Sequence, residues 1–107
     1  AASDVYKRQV ERTFSGTSPE DFRILLAHQP KTGSLTKEKF DLQLSGHTHG
    51  GHIFFMYPIL AYFNDGLVSG FYDRGARKVY VTNGSGLWNG FTMRVGVPSE
   101  ITFITLE

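Results

Sequence analysis

The chain has 107 residues, of which 40% are hydrophobic, 20% charged and 14% aromatic, with a formal net charge of +1 and no cysteine. That length admits a single domain with one modest core, and the composition excludes disordered, collagenous and coiled-coil classes. The charge balance offers no basic footprint for nucleic acid, and without thiolates any metal site must use nitrogen and oxygen ligands.

Residues 1–9 carry charges and lack an apolar core, so they are not a signal peptide. They read as a non-native or disordered leader, with the domain proper spanning residues 10–107. Gly16 to Phe22 is turn chemistry: Ser18 suits a cap, Pro19 a first helical position, and Glu20 and Asp21 the positive end of a single helical turn. The apolar run Ile24–Ala27 predicts a short strand buried on both faces and ending at His28. "SLTKEKF", Ser34–Phe40, predicts a brief helix. A second strand follows, with Phe40, Leu42 and Leu44 on one face and Asp41 and Gln43 on the other.

Ile53–Phe63 is the longest apolar stretch, but it falls short of the roughly 20 residues that span a bilayer, and it contains Pro58. It is expected to be core with an exposed end; the rival is a greasy rim where a lipid-like substrate or a membrane surface docks. Leu67–Tyr72 and Lys78–Thr82 predict a hairpin turning around Asp73–Ala76. Glu100–Glu107 alternates and predicts a terminal strand.

Three of the four histidines fall within "HTHGGH", residues 47–52. On an extended backbone His47 and His49 point to the same side and Thr48 away. Gly46, Gly50 and Gly51 supply a sharp turn. Neutral imidazoles ligate transition metals, and open α/β sheets bind ligands at strand carboxyl ends, where His28 also lies.

"ILLAHQP" followed by "FDLQLSGHTHGGHI", "GLVSGFY", "KVYVTNGSG" and "MRVGVPSEITFITL" resembles the C-terminal half of a calcineurin-like metallophosphoesterase, closest to a branch often membrane-associated or exported. The resemblance covers the chain from about Gly16 onward. It implies an α/β fold, the β-rich C-terminal half of a four-layer α/β/β/α sandwich with short helices. It also implies two divalent metal ions, manganese, iron or zinc, about 3.5–4 Å apart, with a bridging hydroxide that attacks phosphorus. Position by position, His28 and His47 match ligands to the second metal and His49 a ligand to the first. The family's Asp-x-His, Gly-Asp-x-x-Asp and Gly-Asn-His-Asp/Glu motifs would precede this segment, in an N-terminal half of the same domain, so no catalytic residue is assigned within the chain. This branch usually carries glutamine after the Gly-Gly pair, where this chain has His52.

His52 reads as a surface or substrate-edge side chain rather than a ligand. Arg94 has the planar fork that suits phosphate, balanced against a structural salt bridge, and "NGSG", residues 83–86, reads as a plain turn rather than a phosphate cradle. The function implied is hydrolysis of a phosphomonoester or phosphodiester by the full-length protein, this segment alone being inactive. The alternative is a non-catalytic interaction scaffold on the same fold. Compartment is left open by the residues, and the resemblance points toward a membrane-associated or extracytoplasmic setting.

Overall fold

A computed structural model describes residues 2–87 and 93–107. Its centre is a four-stranded mixed sheet in the order β1-β2-β4-β3. β1 (Ile24–Leu26), β2 (Leu42–Ser45) and β4 (Arg77–Val81) run parallel, while β3 (Gly70–Arg74) pairs antiparallel with β4 at one edge. Leu26 stands opposite Leu44, and Leu44 opposite Tyr80. The expected hairpin is present. It turns through Gly75 at φ +77°, where the Asp73 carboxylate accepts from the Gly75 N–H at 2.9 Å.

Helix α1 (Ala2–Thr13) takes in most of the expected leader. Val10, near its end, and Phe14, just beyond it, pack with Leu25 and Phe40 in one core cluster, while Leu67, Val79 and Val81 form another. β1 is covered on one face only: Leu25 is buried but Leu26 is 75% exposed, so the expectation of burial on both faces is corrected. In β2 the buried face extends to a polar residue. Gln43 is fully enclosed, its amide donating to the Pro30 carbonyl at 2.7 Å and the Ser45 hydroxyl at 2.8 Å, as burial of an amide requires.

The expected turn at Ser18 forms, with its hydroxyl accepting from the Glu20 N–H. The helix expected over Ser34–Phe40 does not. A 3-10 turn over Pro30–Leu35 precedes an irregular stretch, and the Arg77 guanidinium donates to the carbonyls of Gly33, Thr36 and Glu38 while lying over the Phe40 ring. Those carbonyls are satisfied from β4, so no helical ladder is needed to satisfy them.

Two further expectations are corrected. Ile53–Phe63 folds as a 3-10 turn and helix α2 (Tyr57–Phe63) with no buried residue, and Phe55 and Tyr62 are 61% and 82% exposed, so this stretch is not core. Residues 100–107 form no strand, and Ile101 and Phe103 face solvent. The tail is anchored instead through Glu100, whose carboxylate accepts from Tyr80, Thr102 and the Asn83 N–H. Beyond it Ile104 and Leu106 share a groove with Phe22, Leu42, Phe71 and Tyr80. Among the described residues no helix is long and apolar enough to cross a membrane.

Candidate metal centre

Parallel pairing of β1 and β2 brings two chain segments out of the sheet at the same edge. The Ala27 N–H donates to Leu44 and the Gly46 N–H to His28, which carries the ladder just past the strands and sets His28 beside Gly46. His28 Nε2 and His47 Nδ1 then lie 3.0 Å apart, with the rings edge-on at 73°. Burial, followed by the neighbouring charges of His28, His49 and Lys31, holds the His47 pKa below its usual value. The imidazole is therefore kept in its neutral, ligating form.

Past Ser45 the chain is not extended. His47, His49 and His52 have φ of +70°, +50° and +59°, and Gly50 and Gly51 have +62° and +87°. Left-handed backbone disfavours a branched Cβ, and histidine is one of the few residues found there with any frequency. Thr48 holds the turn: its buried hydroxyl donates to the Val68 carbonyl at 2.6 Å and accepts from the Gly50 N–H. Gly50 is demanded twice, by φ and by space, because a Cβ would stand 2.4 Å from Asn83 Oδ1 and Val97 Cγ1. Gly46, expected to serve the same turn, has an ordinary φ and room for a methyl group beside Thr82 at 3.7 Å.

This geometry sorts the histidines differently from strand alternation. His28 meets His47, while His49 stacks on His52 with centroids 5.0 Å apart. His52 is fully buried, with Nδ1 3.2 Å from the Met93 carbonyl, so it is not the surface side chain that was expected. Burial lowers its pKa against the opposing Met93 hydrogen bond, with Arg94 and His49 adding to the depression. His49 Nδ1 lies 3.2 Å from the Gly86 carbonyl.

Arg94 does not meet the expectation of a phosphate contact or a salt bridge. Its Nη1 and Nη2 lie within 2.7–3.4 Å of the carbonyls of His49, Asn83, Gly84, Gly86 and Val97. The 83–86 loop turns carbonyls, rather than N–H groups, toward this guanidinium, which agrees with a plain turn. Asn83, which sequence patterns did not single out, ties the loop to Ser69, Pro98 and Glu100.

Among the described residues, no three His, Asp or Glu side chains converge closely enough to hold a metal ion. The His28–His47 pair nevertheless fits one edge of a coordination shell, since two nitrogens each about 2.1 Å from an ion and at right angles lie about 3.0 Å apart. What is lacking nearby is carboxylate.

No family model and no solved structure matches the chain. It is 52% identical over 87 residues to an uncharacterized metallophosphoesterase of Campylobacter jejuni, covering 78% of this chain and 22% of that protein. It is 40% identical over 102 residues to a zebrafish (Danio rerio) transmembrane protein with metallophosphoesterase domain, covering 92% and 23%. It is 37% identical over 101 residues to the uncharacterized metallophosphoesterase YkuE of Bacillus subtilis, covering 91% and 35%. The chain thus spans a quarter to a third, or less, of the relatives it matches. Its strand-end histidines and its identity to these proteins together establish that the chain belongs to the calcineurin-like metallophosphoesterase family.

Proposed function

We propose that the protein to which this chain belongs is a metal-dependent phosphoesterase, cleaving phosphomonoester or phosphodiester bonds at a two-metal centre. The observation that carries this reading is the 3.0 Å approach of His28 and His47 at the carboxyl ends of adjacent parallel strands. His28 and His47 would hold one ion and His49 the other, with the remaining carboxylate ligands supplied from outside this chain. When bound, the ions would polarise a phosphoryl oxygen and make hydroxide available near neutral pH.

The chain's own residues orient and restrain. The β1–β2 ladder fixes the His28 and His47 backbones, burial keeps His47 neutral, and the Thr48 hydroxyl locks the loop between His47 and His49. The test is hydrolysis of p-nitrophenyl phosphate and bis(p-nitrophenyl) phosphate by the full-length protein after chelation and after adding back manganese, zinc or iron. Metal-restored turnover is expected from the full-length protein and none from the 107-residue chain alone. A full-length protein that binds no metal and cleaves neither ester would instead be a scaffold on the same fold.

A further inference from the structure

The guanidinium of Arg94 joins two loops that carry site residues. One Nη reaches the His49 carbonyl at 3.0 Å, and the other reaches Asn83 at 2.9 Å and Gly86 at 2.7 Å. The Gly86 carbonyl is also 3.2 Å from His49 Nδ1. One carbonyl oxygen therefore faces both the arginine and the imidazole. A carbonyl only accepts, so Nδ1 must be the nitrogen that carries the proton, and in a neutral ring the lone pair is then at Nε2. Metal-binding histidines are commonly oriented in this way, through a carbonyl on the nitrogen that does not bind.

We propose that Arg94 is a positioning residue for His49: by clasping the 83–86 loop to the His49 turn it holds the Gly86 carbonyl against Nδ1 and so sets both the tautomer and the aim of the ring. The proposal rests on the reading of His49 as a metal ligand. A phosphate-binding role for Arg94 fits less well. The four Nη hydrogens already face five carbonyl oxygens, and an anion arriving there would meet their negative ends. Lysine should not substitute, because one ammonium cannot span two loops in a fixed plane.

The test uses the full-length protein, first without metal. Long-range proton–nitrogen correlation spectra of the imidazoles should show His49 protonated at Nδ1 in the unsubstituted protein; protonation at Nε2 instead would overturn the proposal without any variant. In Arg94→Gln and Arg94→Lys, His49 should become a tautomer mixture while His28 and His47 keep their signals. Affinity for added manganese should fall about 10–100-fold. With substrate, kcat should fall and KM stay nearly constant. A rise in KM with unchanged manganese affinity and unchanged His49 signals would make Arg94 a substrate contact and overturn the proposal. Should no ester be cleaved at all, the tautomer and manganese measurements still decide the role of Arg94, separately from the phosphoesterase reading.

Discussion

His28 Nε2 and His47 Nδ1 approach to 3.0 Å across a parallel strand pair, although 19 residues separate them in the chain. At that distance one ring must donate and the other accept, so protonating both sets two cations against each other. An ion that takes both lone pairs removes this conflict.

Alanine at His28 or at His47 should therefore weaken metal retention in the full-length protein by more than the about 10–100-fold typical of losing an outer hydrogen-bond partner. Titration calorimetry with manganese, checked by metal quantification, measures this. Retention of full metal content by His47→Ala would remove it from the ligand set.

The glycines of the turn separate by their geometry. Gly50→Ala should destabilise the protein by about 2 kcal/mol or more, because a methyl group there meets both a left-handed backbone and two atoms at 2.4 Å. Gly46→Ala, with ordinary φ and open space, should cost less than about 1 kcal/mol. Denaturant unfolding of the two variants side by side gives the comparison, and equal losses would refute it.

Glu100 should make the anchoring of the tail sensitive to acid. Its burial raises its pKa, but hydrogen bonds from Thr102, Tyr80 and the Asn83 N–H outweigh burial, and the net value falls below the usual 4.5. The unfolded chain then takes up this proton at a higher pH than the folded one. The stabilisation is thus fully present above pH 4.5 and fades as pH drops through the lowered value. Glu100→Gln should be less stable than the unsubstituted protein at pH 7 and approach it below about pH 3. A stability gap that does not change with pH would exclude this linkage.

The apolar stretch beside the site should behave as surface. Phe55→Ser and Tyr62→Ser should shift stability by no more than about 0.5 kcal/mol, since both side chains are mostly exposed. Binding of a hydrophobic dye should fall with each. A loss of several kcal/mol would restore the core reading.

How far the sequence could be read depended on where the decisive partner lay. Ile24–Leu26 and the Gly70–Val81 hairpin are legible because each apolar run is bounded by its own turn residues. Residues 34–40 are not, because the side chain that satisfies their carbonyls is Arg77, about 40 positions away. The alternation of Ile101 and Phe103 resembles a strand, yet the pattern carries no information about whether a neighbouring edge is available. At the site, the ligand candidates were legible from type and position. Their arrangement was not: projecting strand alternation past Ser45 hid the left-handed turn that pairs His28 with His47 and His49 with His52. Arg94 was visible only as a charge, since its carbonyl acceptors are features of the fold.

The left-handed backbone at His47, His49 and His52 also sets the direction in which this loop would drift if chemistry stopped being asked of it. Each position holds a side chain that its φ disfavours by about 1 kcal/mol or more, and glycine or asparagine would relax it. A descendant reduced to a passive scaffold should lose these imidazoles early, gaining stability with each loss. Three of them kept within six residues describe a loop still held uphill of its most stable sequence.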